Sequence, residues 1–135
     1  MGFRHKSGCA MNGIDLQAVC DTNIAIYLLS GDKELAELLD GLDTKLSFIS
    51  ELELLSKPNM TLAEANNTKA FINQCTVVEM SPVIKMKTIE IRQKGKVKLP
   101  DAIVAATAIS LNLPLITADR QFEKVSGLDV VIINR

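Results

Sequence analysis

The sequence is spare in the residues that build several common kinds of site. It has no tryptophan, one tyrosine and four phenylalanines, so it has little aromatic surface on which nucleobases could stack. Its one histidine, His5, lies among the first residues. That excludes ribonuclease chemistry run by paired histidines, and it leaves no base for a Ser-His-Asp or Cys-His hydrolase. Cys9, Cys20 and Cys75 are odd in number, widely spaced and in no CxxC pair, which argues against a disulfide framework or a zinc site and fits a reducing cytoplasm. The longest apolar stretch, 102–116, is interrupted by Asn112 and Pro114, and no apolar signal core follows Arg4, His5 and Lys6, so a cytoplasmic protein with no membrane span is expected. The formal net charge of −1 is not that of a polycation, and any contact with nucleic acid must come from local charge.

The chain does have enough apolar material for one core: 47% of its 135 residues are hydrophobic, which fits a single domain. Met11 can itself start a protein, and the residues before it show no periodicity. Residues 1–12 therefore read as a flexible extension of the kind cloning adds, and 13–135 as the folded domain.

Short apolar runs alternate with amphipathic stretches from about residue 16. Leu16–Cys20, Leu46–Ile49, Thr76–Met80, Leu113–Thr117 and Asp129–Ile133 read as five strands. Leu35, Leu38, Leu39 and Leu42 recur at helical spacing, Thr61 with Glu64 forms a capping box, and Ser81-Pro82 opens a helix through about Lys94. Asp101 begins a further, Ala-rich helix, apolar on nearly every side and so expected to be buried. The alternation predicts an α/β fold, a three-layer α/β/α sandwich around a mostly parallel five-stranded sheet. In such sheets ligands sit beyond the carboxyl ends of the strands.

The residues at those ends are acidic. Asp21 follows the first strand, Glu53 lies a turn past the second, Asp119 follows the fourth, and Asp101 opens a helix. Taken singly, each has a structural reading: Asp101 and Glu53 as helix caps, Asp21 and Asp119 as loop acids bonded to local amides. Brought together, like charges cost about 4 kcal/mol per pair at 4 Å and an effective dielectric near 20. A divalent cation offsets that repulsion, and all-oxygen ligation favours Mg²⁺ or Mn²⁺.

With these residues in order, the segments VCDTNIAIYLL, SELELLSKP, LPDAIVAATA and LITADRQFEKV resemble the PIN-domain family, and in size the chain is similar to its VapC-type toxins. The resemblance covers about Ala18 to Ile133. It implies a Mg²⁺- or Mn²⁺-dependent endoribonuclease, the toxin of a toxin–antitoxin pair, which acts on RNA as a homodimer and is silenced by a small antitoxin protein. It carries the acidic ligands onto Asp21, Glu53, Asp101 and Asp119, with Asn23 and Thr117 as polar supports and Phe122 in the core. Nuclease action in RNA processing or on other nucleic acids, and a non-catalytic PIN-like binding domain, are the alternatives. A phosphatase of the haloacid-dehalogenase type would need an acid where Asn23 stands, and a receiver domain would need an acceptor Asp after Met80, where Ser81-Pro82 follows.

The second motif leaves a choice between Glu51 and Glu53. With Ser50 as N-cap, the two differ by about 200° around the helix. Leu52, Leu54 and Leu55 then set an apolar face with Glu53 among them and Glu51 towards solvent, which favours Glu53. Between Lys85 and Lys98, six basic residues face one acid, Glu90. Lys94, Lys96 and Lys98 read as a basic rim for the RNA backbone, against the plainer reading of a solvated helix end. The leucines of 35–39 and 52–55 read as core, part of which is a candidate dimer or antitoxin groove.

Overall fold

The computed structural model describes residues 16–135, so the expected extension at 1–12 lies outside the described residues. The strands are β1 (Gln17–Cys20), β2 (Asp43–Ser47), β3 (Thr76–Val78), β4 (Leu115–Thr117) and β5 (Val130–Ile132). They form one sheet in the order β3-β2-β1-β4-β5, and every pairing is parallel. The chain builds outward from β1 to one side, then returns to build the other side, so the order reverses between β1 and β4. That is where an open parallel sheet leaves a crevice at its carboxyl end.

The connecting helices are α1 (Thr22–Leu29), α2 (Lys33–Leu38), α3 (Phe48–Leu55), α4 (Leu62–Gln74), α5 (Pro82–Lys94) and α6 (Leu99–Leu111), followed by a 3₁₀ turn at Arg120–Lys124. The strands alternate faces residue by residue, as a pleated strand must. Ala18 and Cys20 pack with Ile24, Leu28, Leu35, Leu46 and Phe71 on one side. Val19 and Leu115 pack with Ile84, Phe122 and the alanines of α6 on the other. Both faces are therefore covered, giving the three-layer sandwich. Seven successive residues of α6, Ala102–Ala108, are buried, and their small side chains let this helix lie close to the sheet.

Local chemistry sets most element ends where expected. Ser81 caps α5 by accepting from the Ile84 amide with Pro82 in the first turn, and both bonds of the Thr61/Glu64 capping box form. Every strand but β2 is shorter than expected, β3 ending at Val78 and β4 starting at Leu115, and two further boundaries bear on the site. β2 starts at Asp43 and ends at Ser47, so Phe48 and Ile49 are helical, and Ser47 rather than Ser50 is the N-cap, accepting from the Ile49 amide. The ladder to β3 ends at the Ser47–Val78 pair, so the serine at its end turns the chain. α6 begins at Leu99, with Pro100 pre-set for the first turn, and Asp101 is its third residue.

Of the leucines expected in the core, Leu35, Leu39 and Leu54 are buried, whereas Leu38, Leu52 and Leu55 are exposed. Val83, Met86 and Ile89, three residues apart on α5, are at least half exposed as well, a row that the sequence reading did not single out. Among the described residues no helix is long and apolar enough to cross a membrane.

Leu46, fully buried in β2 beside the central strand, tests the packing. Leu46→Ala should lower the unfolding free energy by about 2–5 kcal/mol in urea titrations, the range for a core leucine whose cavity cannot fully collapse. A loss below ~1 kcal/mol would show that this core is loosely packed.

Candidate active site

Asp21 leaves β1 at the reversal of strand order. Its amide donates to the Ile116 carbonyl at 2.9 Å, which continues the β1–β4 pairing and keeps the residue beside β4. Its Oδ1 accepts from the Thr22 amide at 2.8 Å and so caps α1. Its Oδ2 accepts from the hydroxyl of Thr117 at 2.8 Å. Thr117 is fully buried, and its hydroxyl oxygen also accepts from the Asp119 amide at 3.0 Å. One threonine thus fixes two of the acids. Asp119 bonds onward through Oδ1 to the Gln121 amide at 2.9 Å, capping the 3₁₀ turn.

Glu53 arrives from α3. Its Oε1 accepts from the Thr22 hydroxyl at 2.8 Å, and that hydroxyl is also 2.8 Å from Oγ of buried Ser50. A carboxylate can only accept, so the single Thr22 proton goes to Glu53 and the Ser50 hydroxyl donates to Thr22. Glu51, half-buried, makes no side-chain hydrogen bond among the described residues. The expected reason for preferring Glu53 does not hold: Leu52 and Leu55 are exposed, as is Glu53 itself. Its bond to Thr22 brings it in.

Asp101, half-buried in the first turn of α6, accepts no hydrogen bond among the described residues. The N-cap is Lys98, without a side-chain cap bond, so Asp101 is not spent on capping. Burial pushes its carboxyl pKa up, the charges of Asp119 and Glu53 push it further, and Lys98 pulls it partly back. For Asp21, burial again raises the pKa most, Thr117 and Thr22 oppose that by bonding the charged form, and Asp101 and Asp119 raise it. The four predicted acids therefore sense one another, and among the described residues none is paired with a lysine or arginine.

As the side chains stand, no three of the described acids close on a common point that would hold a metal ion. The donor chemistry nevertheless suits a hard divalent cation: every donor is oxygen, among the described residues no lysine or arginine is ion-paired with the four acids, and Asp101 engages neither oxygen in a hydrogen bond.

Asn23 is exposed in the first turn of α1 and makes no side-chain hydrogen bond among the described residues; its neighbour Thr22 makes the polar contacts. The sequence analysis did not assign Thr22 and Ser50 to the support of Glu53; the signals for it were their places directly after Asp21 and three residues before Glu53. Phe122 is buried as expected. Lys94, Lys96 and Lys98 line a cleft of about 830 Å³ that reaches Asp101 and Asp119, and Lys124, not anticipated, lines it too.

A family model of the PIN domain matches residues 18–128. The chain is similar to a toxin–antitoxin complex from Klebsiella pneumoniae, with 32% identity over 84% of this chain and 95% of that one and a TM-score of 0.73. It shares its fold with VapBC2 from Rickettsia felis bound to a promoter DNA fragment, at 20% identity, 87% and 98% coverage and a TM-score of 0.74. It also shares its fold with DNA-bound VapBC from Salmonella typhimurium, at 24% identity, 87% and 98% coverage and a TM-score of 0.72. No curated protein matches by sequence.

A raised carboxyl pKa means that the folded protein holds the proton more tightly than the unfolded chain does. The stability it contributes is complete below the ordinary aspartate pKa of about 3.9 and is lost as pH rises through the raised value. In chelator at pH 7, Asp101→Asn should therefore melt above the wild type, and the gap should close below about pH 4. Equal melting curves at pH 7 would mean that the acids do not strain the metal-free fold.

Proposed function

The chain belongs to the PIN-domain family, whose members are in general nucleases, and we propose that it is a divalent-cation-dependent endoribonuclease, the toxin of a toxin–antitoxin pair. The observation that carries this reading is the gathering of acids from four chain segments: burial and the neighbouring acids raise the carboxyl pKa of Asp21 and of Asp101, and among the described residues no lysine or arginine is ion-paired with any of the four. The similarity to a toxin–antitoxin complex supports the biological setting.

In this reading Asp21, Glu53, Asp101 and Asp119 hold Mg²⁺ or Mn²⁺ through oxygen. When bound, the cation activates water and offsets the negative charge of the phosphodiester. Thr117 and the Thr22 amide hold the Asp21 carboxylate charged and aimed, and Thr22 with Ser50 does the same for Glu53. Asn23 stands exposed beside Asp21 as a further polar support. Water attacks phosphorus and the bond to O3′ breaks, leaving a 5′-phosphate and a 3′-hydroxyl. Lys94, Lys96 and Lys98 draw the RNA backbone to acids that would otherwise repel it.

Cleavage of RNA should require Mg²⁺ or Mn²⁺ and stop in excess EDTA. Asp21→Asn and Glu53→Gln should each slow it by on the order of 100-fold, as loss of one preorganised electrostatic partner does, while Glu51→Gln cleaves normally. Full cleavage in EDTA would refute the mechanism, and loss of activity in Glu51→Gln would reverse the choice of ligand.

The proposed partners are a second copy of the chain and a small antitoxin. The exposed row Val83, Met86 and Ile89 on α5, with Leu52 and Leu55 on α3, supplies apolar surface for association. Light scattering should give a dimer that Met86→Glu converts to a monomer; a wild-type monomer at micromolar concentration would count against self-association.

A further inference from the structure

The cleft beside the acids is built from two stretches of chain far apart in sequence. One stretch is the end of α5 with the 95–98 loop, the other the 3₁₀ turn with the residues after it. The first brings Lys96 and Lys98, which form no ion pair among the described residues. Their loop is tied down by Arg92, whose Nη1 donates to the Val97 carbonyl at 3.0 Å. The second brings Lys124, whose ammonium donates to the side-chain oxygen of Gln121 at 3.1 Å and is paired with no acid. Ile91, Phe122 and Val125 give the cleft an apolar lining.

Two further lysines line the cleft but are already engaged. Glu90 accepts from Lys87 through Oε2 at 3.3 Å and from Lys94 through Oε1 at 3.1 Å. Their ammonium groups hold the Glu90 carboxyl below the usual carboxylate range. Apart from Asp101 and Asp119, Glu90 is the one carboxylate on the cleft lining.

We propose that this cleft is the subsite for single-stranded RNA leading to the acids, that Lys124 contributes to it with Lys96 and Lys98, and that Glu90 limits its strength by engaging Lys87 and Lys94. The proposal rests on the ribonuclease reading and deepens it. A volume near 830 Å³ is that of a small-ligand pocket, which suits individual nucleotide units better than a double helix. Aliphatic side chains and a buried phenylalanine offer a base burial without stacking, so the hold comes mainly from phosphate charge and is tolerant of sequence. Exposed ion pairs are weak and exchange readily, so an arriving phosphate competes with Glu90 for both lysines and meets its repulsion as well.

The test measures binding of a fluorescein-labelled oligouridylate ~12 nucleotides long, in EDTA, by anisotropy over a range of salt. Lys124→Gln should weaken binding several-fold and flatten the salt dependence by about 0.7 for the lost phosphate contact. Glu90→Gln should do the opposite, tightening binding several-fold and steepening the slope. A duplex RNA of equal length should compete poorly. Lys124→Gln binding as the wild type does, Glu90→Gln failing to tighten, or the duplex competing equally would each overturn the proposal. Cleavage assays with Mn²⁺ on the same proteins separate the two readings. If the wild type cleaves while both variants bind like it, the subsite falls and the nuclease stands; if the wild type neither binds nor cleaves, both fall.

Discussion

One constraint governs the site: carboxylates from four chain segments are held near one another, and among the described residues no lysine or arginine is ion-paired with any of them. Asp21 is almost completely buried, a condition that ordinarily drives a carboxyl to neutrality. What opposes that drive is specific: two hydrogen bonds, from the Thr22 amide and the Thr117 hydroxyl, both to the charged form. Asp119 and Glu53 are likewise held by bonds to one oxygen, while Asp101 has none. The fold thus confines acidic side chains and orients them through hydrogen bonds from neighbouring amides and hydroxyls.

The sheet makes such confinement possible. Parallel strands deliver their carboxyl ends to one edge, and the reversal of order between β1 and β4 opens that edge at Asp21 and Thr117. The apolar clusters on the two faces hold the strands in register, and the alanine run of α6 brings Asp101 towards the same edge by letting the helix pack closely. Core packing supplies the stability that offsets the site, since the raised carboxyls of Asp21 and Asp101 favour opening of the protein at neutral pH.

Charge is partitioned in space as well as in sequence. Asp101 and Asp119 lie on the cleft, and the lysines of the 95–98 loop and of the 3₁₀ turn lie along it. A polyanion is attracted at the rim by long-range forces that salt screens, and meets the acids only at close range. Glu90 engages Lys87 and Lys94 within the rim and so reduces the positive charge that the rim presents.

Much of this was readable from the chain alone because the signals are local. An Asp after an apolar run, Ser81 before Pro82, or Thr61 three residues ahead of Glu64 depends only on neighbours in sequence, and each stands where expected. The nine-residue stretch after Leu46 shows the limit: Ser47 and Ser50 have the same capping chemistry, and only the length of the β2–β3 ladder selects Ser47, freeing Ser50 to support Thr22. The role of Thr22, the exposure of Glu53 and the presence of Lys124 in the cleft were equally hidden. Sequence determined which side chains could bear charge and where strands and helices could start. Tertiary structure decided which of them meet, because contacts such as Thr117 with Asp21, 96 residues apart, exist only once strand order and register have been fixed by packing on both faces of the sheet.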